Sequence, residues 1–289
     1  MIPYKLRLPL IFVFLVLFCF SLNAQELYVY SEPASNVPAK SLSFKYAGKW
    51  MGESTLGHKH TTSRQMVESS IGLGKFLMLR PALSFGNMYN KYPDQKLRFE
   101  SASIYAKLRL LSIDDIHRHF RAAAFIKGVF SKNDLQYAEI TADGDQTAIQ
   151  GGLILTQLLH KLAISGTGSL VEVLHPDRWK DFGGQTFYGY QAFNYSLSAG
   201  YLLFPRKYKS YEQTNFNIYL ELIGSRGLDR DYAFTDLAPA IQLIVNSNAK
   251  INVGYRFQIS GGAYRMGMSS LSISYERSFL NAIKRKKNE

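Results

Sequence analysis

From residue 41 onwards, apolar residues alternate with polar or small ones at a period of two, the spacing that places successive side chains on opposite faces of a β-strand. Leu42, Phe44 and Tyr46 alternate with Ser41, Ser43 and Lys45. Late in the chain, Ile251, Val253, Tyr255, Phe257 and Ile259 alternate with Lys250, Asn252, Gly254, Arg256 and Gln258. The same pattern recurs over 64–73, 76–86, 97–110, 118–130, 148–158, 162–173, 191–204, 214–224, 235–245 and 269–279. Together these make about twelve strands, mostly of the roughly 9 to 11 residues with which a tilted strand crosses a bilayer. The less regular alternation of 97–110 and 148–158 leaves ten to fourteen open. The fold class predicted is all-β, a closed antiparallel transmembrane barrel. A soluble sandwich would show the same alternation, but many long one-sided strands fit a closed barrel better than two packed sheets of shorter ones.

The connections point the same way. Gly74-Lys75, 112–117, His160-Lys161, 205–213 and Asn246-Ser247-Asn248 are mostly short, whereas 51–63, 87–96, 131–147, 174–190, 225–234 and 260–268 are mostly longer. Short turns at one end and long loops at the other match an outer-membrane barrel whose turns and termini face the periplasm. Phe44, Tyr46, Phe85, Tyr195, Tyr201, Tyr255, Phe257, Tyr275 and Phe279 fall on the predicted outer face, several near strand ends where aromatic girdles meet the interfaces.

The first 24 residues read as a secretory signal peptide. Lys5 and Arg7 precede the uncharged run Leu8–Phe20, and Ser21-Leu22-Asn23-Ala24 ends on a small residue before Gln25. The apolar run is shorter than the roughly 20 residues of a membrane anchor. Cleavage there removes two bases and no acid, lowering the formal charge from +12 to +10, and takes away Cys19, the only cysteine. Disulfides, Cys-based zinc sites and thiol chemistry are thereby excluded from the exported chain. At 46% hydrophobic and only 19% charged residues the chain is far too apolar for a disordered polymer. The organisation read from the sequence is a signal peptide over 1–24, a periplasmic N-terminal lead over 25–40, the barrel over 41–279 and a basic C-terminal tail over 280–289, which carries Lys284-Arg285-Lys286-Lys287.

The opening Glu26–Ser41, the segment Tyr201-Leu202-Leu203-Phe204-Pro205-Arg206-Lys207-Tyr208 and the segment Gly254-Tyr255-Arg256-Phe257-Gln258 resemble a family of outer-membrane β-barrel proteins of Gram-negative bacteria. A looser similarity exists to transporter-type barrels associated with aromatic-compound degradation. The resemblance implies a barrel and an outer-membrane address, but brings no substrate or catalytic residue. The last strand also resembles the terminal insertion signal of such barrels: Leu271, Ile273, Tyr275 and Phe279 share one face. The partners it implies are outer-membrane lipid and the barrel-insertion machinery.

If Tyr255 and its neighbours face lipid, Lys45, Glu68, Arg80, Lys107, Arg109, Arg121, Lys127, Glu221, Arg256 and Glu276 face the lumen. A charge on the lipid face would cost roughly 2 to 4 kcal/mol for Arg or Lys at the midplane. Seven bases against three acids would favour anionic solutes; the rival reading is that these side chains pair and hold the barrel shut. Other constellations are weak. His58-Lys59-His60 and His117-Arg118-His119 each supply two imidazoles with a base between them, the first pair in a predicted outer loop and the second beside a turn, so no metal site is expected. Asp143-Gly144-Asp145 lacks a full calcium-loop spacing and reads as a turn. No histidine is followed at the second position by serine, as in outer-membrane phospholipases; His175-Pro176-Asp177 is the weak acid–base alternative. Gly151-Gly152, Gly183-Gly184 and Gly261-Gly262 form no phosphate loop, and neither a cofactor nor a nucleic-acid partner is expected. Three functions therefore compete: a passive pore or transporter for small solutes with a mild preference for anions, a non-conducting structural or interaction barrel presenting its long loops, and a lipid-modifying barrel enzyme.

Overall fold

The computed structural model describes residues 28–55, 58–87, 96–115, 118–133, 139–174, 189–205, 213–262, 265 and 267–283, without the side chains of 53–61. The predicted signal peptide, His117, His175-Pro176-Asp177, Gly183-Gly184 and the run Lys284–Lys287 lie outside the described residues. Twelve strands form one sheet: β1 (Leu42–Thr55), β2 (His58–Gly72), β3 (Leu77–Gly86), β4 (Arg98–Asp115), β5 (Arg118–Ser131), β6 (Ala148–Leu159), β7 (Leu162–Val173), β8 (Gln191–Phe204), β9 (Asn215–Gly227), β10 (Ala233–Val245), β11 (Ala249–Gly261) and β12 (Ser269–Phe279). Each pairs antiparallel with its chain neighbours, and β1 pairs with β12 from Leu42 opposite Phe279 to Gly52 opposite Ser269. Closure leaves no unpaired edge, the condition for crossing a medium that cannot hydrogen-bond to backbone.

The alternation divides the wall into two faces. Phe44, Tyr46, Val67, Leu83, Ile104, Ile126, Leu153, Leu197, Leu220, Ile241, Tyr255 and Tyr275 stand exposed on the outside. Along the inside, Ser43, Ser70, Ala123, Ala163, Ser165, Ser198, Ala238, Ala240 and Ser274 are buried, interspersed with Lys107, Glu221, Gln242 and Glu276. A predominantly apolar exterior around a small and polar interior is the inverse of a water-soluble core, and it is the surface that hydrocarbon covers.

Three features depart from the sequence reading. The β1–β2 hairpin runs to Thr55 and restarts at His58, so most of the loop expected over 51–63 is strand, and His58 and His60 belong to β2. β4 likewise continues to Asp115 through most of the turn expected over 112–117. The third concerns the N-terminal lead, expected to lie outside the barrel: residues 28–40 are folded against its inner wall. They enter at the end that carries the termini and the shorter turns. Lys40 donates its backbone N–H to Gly72 at 2.8 Å, and Ile283 donates to the Lys40 carbonyl at 3.1 Å. Gly72 is required there, because a Cβ on it would lie 2.1 Å from the Pro38 carbonyl oxygen.

Candidate functional site

The candidate site is the lumen, which is narrowed from both ends. At the short-turn end the N-terminal segment is held chiefly by one carboxylate. Glu221, fully buried on β9, accepts the backbone N–H groups of Val29 and Tyr30 at 3.0 Å on Oε1 and that of Ser31 at 2.8 Å on Oε2. Successive amides converging on one anion form a compact and strong contact, because each hydrogen bond is charge-assisted. Farther along the segment, Glu32 pairs with Arg80 and Lys107, the Lys107 ammonium donates to the Pro33 carbonyl at 2.8 Å, and Ala34 donates its N–H to Thr156 Oγ1 at 2.9 Å. Arg121 donates to Ser35 Oγ at 2.9 Å. Apolar contacts fill the remainder: the Tyr28 ring meets Tyr219 edge-on at 5.9 Å, and Val37 packs with Met78 and Tyr105. Burial raises the phenol pKa values of Tyr28 and Tyr30 well above the ordinary range, with the Glu221 charge adding to the rise; both are neutral at any physiological pH.

At the long-loop end, the described part of the connection between β5 and β6 folds inward and is clamped on two sides. On one side Arg64 of β2 donates from Nε to Glu100 Oε2 and from Nη2 to Glu100 Oε1, each at 2.6 Å, and also pairs with Asp145 of the connection. On the other, Glu139 pairs with Arg265 at 3.1 Å and with Arg256 at 3.5 Å. Both arginines also pair with Asp236 of β10, and the Arg265 guanidinium lies 3.7 Å above the Phe234 ring. Asp143 pairs with Lys127 at 3.3 Å. The protein walls around Asp143 desolvate it and raise its pKa although its carboxylate is itself exposed to the lumen, but Lys127, Lys49, Arg64 and Arg256 together hold it well below the usual carboxylate range. The two acids of Asp143-Gly144-Asp145 are thus taken up by bases of the wall, with Gly144 supplying the positive φ of 115° that the turn requires.

A cavity of about 330 Å³ lies between the two constrictions. Its basic lining residues are Lys45, Lys49, Arg64, Arg80, Lys127 and Arg256. Lys45 pairs with Glu68 at 3.4 Å, and Arg64, Arg80, Lys127 and Arg256 are paired as described. Lys49 alone of the six makes neither an ion pair nor a hydrogen bond among the described residues.

Most of the residues expected to line the lumen from strand parity contact one another or the inserted segments there. Glu276 pairs with Lys250 at 3.7 Å on the inner wall. Arg109 sits at the short-turn rim instead, donating to the Lys75 carbonyl next to the irregularity between Arg109 and Leu111. The excess of inward bases read from the sequence is offset by Glu32, Glu100, Glu139, Asp143, Asp145 and Asp236. Strand parity missed Glu100 because the register shift at Ser84/Phe85 turns it inward, and Lys49 because β1 runs beyond the segment that alternates clearly.

Chemistry is sparse elsewhere. Among the described residues no group of three or more His, Cys, Asp or Glu side chains could hold a metal ion. His119 Nδ1 lies 2.8 Å from Asp114 Oδ1, and Ser112 donates to Asp114 Oδ2 at 3.2 Å. The carboxylate stands between the hydroxyl and the imidazole, so the imidazole does not take the proton from serine as a nucleophile requires.

No family model matches the sequence, and no curated protein matches it. In fold the chain is similar to an outer membrane channel from Pseudomonas putida F1, with a TM-score of 0.59 at 12% identity over 87% of this chain and 100% of that one. It is also similar to the NanC porin, with a TM-score of 0.51 at 12% identity over 82% of this chain and 98% of that one. The fold shared with these structures is the closed barrel of outer-membrane channels and porins.

Proposed function

We propose that this protein is a passive outer-membrane pore for small solutes, exported by a cleaved signal peptide, and that its N-terminal segment closes the lumen at rest. The observation that carries this reading is the central cavity: an apolar-faced barrel encloses a polar, charge-lined space between two constrictions built from different parts of the chain. A barrel that served only as a scaffold would gain more from a dry and fully packed interior, since each buried ion pair carries a desolvation cost. Outer-membrane lipid is the surrounding solvent, and the insertion machinery reads the strand that ends on Phe279. Solute-dependent swelling of liposomes carrying the refolded protein tests the reading. Sugars and amino acids of a few hundred daltons should enter, and a refolded, inserted barrel that admits none would refute it.

One observation favours a second reading, a non-conducting barrel that presents its long loops. The N-terminal segment is tied across the short-turn half of the lumen by hydrogen bonds and ion pairs to β3, β4, β5, β6 and β9. The two readings separate on removal of residues 28–40: swelling should rise for a plugged pore and stay at background for a solid scaffold.

A further inference from the structure

From the way the lumen holds its own N-terminal segment, and building on the pore reading above, we infer that the short-turn half of the lumen, once that segment has left it, is a binding site for short acidic peptides. The wall already has a peptide seated on it. Residues 29–34 meet the wall chiefly through main-chain groups. Glu221 accepts the consecutive N–H groups of Val29 and Tyr30 at 3.0 Å and of Ser31 at 2.8 Å, Lys107 donates to the Pro33 carbonyl at 2.8 Å, and Thr156 Oγ1 accepts the Ala34 N–H at 2.9 Å. Every peptide carries such groups at this spacing, so these contacts recognise a chain rather than one sequence. Glu32 adds the specific element. Its two carboxylate oxygens accept from the two terminal nitrogens of Arg80, the second at 3.3 Å, and Lys107 reaches Oε2 at 3.4 Å. A guanidinium fork against both oxygens reads a carboxylate by its geometry as well as by its charge.

The groups that make these contacts come from different strands of the wall. Glu221 on β9 and Lys107 on β4 are fully buried beneath the segment, and Arg80 on β3 and Thr156 on β6 are nearly so. Glu221 and Arg80 stand six strands apart in the ring of twelve, so acid and base grip the chain from opposite sides. When the segment leaves, the lumen keeps a carboxylate on one side and two cations on the other. A guest with amides beside a carboxylate restores the contacts of both. Pro33 and Ala34 are fully buried, which sets small residues after the acid as the best fit. Access is from the central chamber: Glu32, with its side chain 28% exposed, and Arg80 both line it, so an arriving solute meets the carboxylate-binding end first. Segment and guest compete for one place, and a peptide that binds only the vacated lumen shifts the population towards the open state.

Isothermal titration in detergent tests the inference on two refolded barrels: full-length Gly72→Ala, whose added methyl group opposes the docking of Pro38, and a barrel lacking residues 28–40. The probe is acetyl-Ala-Ala-Ala-Glu-amide, which places three amides ahead of one carboxylate. It should bind both barrels, and should bind the wild type at least tenfold more weakly, because the docked segment occupies the site. The glutamine analogue of the probe, and free glutamate without the amides, should bind at least tenfold more weakly than the probe itself. In the barrel lacking residues 28–40, Arg80→Met should weaken the probe at least tenfold and its glutamine analogue less than twofold. Glu221→Gln should weaken both, and Lys75→Met at an exposed turn should change nothing. Mobility on unboiled gels shows that each variant is folded. No probe binding by either folded barrel, equal binding of the probe and its glutamine analogue, or unchanged probe binding in Arg80→Met would each overturn the assignment. Probe binding by a barrel that admits no solute would sustain this site while refuting the pore. Solute entry into the shortened barrel without probe binding would do the reverse.

Discussion

Replacing Glu221 by glutamine should loosen the N-terminal segment without altering the barrel. The carboxylate takes the amides of Val29 and Tyr30 on one oxygen and that of Ser31, together with the Ser198 hydroxyl at 3.2 Å, on the other. A glutamine in the same place keeps at most one of these acceptors and presents an NH₂ group to donors at the second. At about 1.5 to 3 kcal/mol for a hydrogen bond to a charged group, losing the Ser31 bond and the charge costs the docked state about 2 to 3 kcal/mol. At 1.4 kcal/mol per factor of ten, the undocked fraction rises about thirtyfold to a hundredfold. Because Cys19, in the predicted signal peptide, is the only cysteine, Ser35→Cys supplies a single probe at a nearly isosteric, buried position of the segment. When reclosing is fast, its rate of maleimide labelling follows the open fraction. Labelling should therefore quicken about thirtyfold or more in the Glu221→Gln background. An unchanged rate in a barrel of normal gel mobility would refute the assignment of Glu221 as the holder of the segment.

Three further outcomes are expected. Arg64→Met leaves Glu100, 1% exposed, without its bidentate partner, and breaking a buried pair costs about 3 to 5 kcal/mol; the temperature at which the unboiled gel form is lost should fall, and an unchanged midpoint would contradict the clamp. Gly72→Ala drives a methyl group into the Pro38 carbonyl, so labelling at Ser35→Cys should quicken as it does in Glu221→Gln, whereas a wild-type rate would mean that this close approach does not hold the segment. Asp143 has a folded-state pKa below its unfolded value of about 3.9, so its contribution is full above that value and is lost as pH falls towards the folded value. The difference in unfolding temperature between wild type and Asp143→Asn should be constant from pH 8 to pH 5 and shrink below about pH 4; a difference that grows on acidification would invert the sign.

The barrel wall was legible because lipid on one side and a polar lumen on the other force every spanning strand to alternate, as Ile251–Ile259 does. The hairpin beyond Met51 was not, because Gly52-Glu53-Ser54-Thr55 and His58-Lys59-His60-Thr61-Thr62 lack an apolar face, and without one a strand is written like a loop. Inward charges such as Lys45, Glu68 and Glu221 follow from parity alone. Their partners do not, since Glu32, Glu139, Asp143 and Asp145 lie on irregular segments whose return into the lumen leaves no periodic trace. A hint was present in the three acids among seven bases: a barrel wall with that surplus needs carboxylates from elsewhere, and the segments able to reach inside are the lead and the long loops. Register shifts added the remaining error, as at Glu100, where one irregular pair turns an outward position inward.

Single-channel recording in planar bilayers, comparing the wild type with a variant lacking residues 28–40, tests the central claim most directly. A pore closed by its own N-terminal segment predicts rare, brief openings for the wild type and a persistent conductance for the variant. Silence from both, with insertion and the gel mobility shift intact, would contradict it.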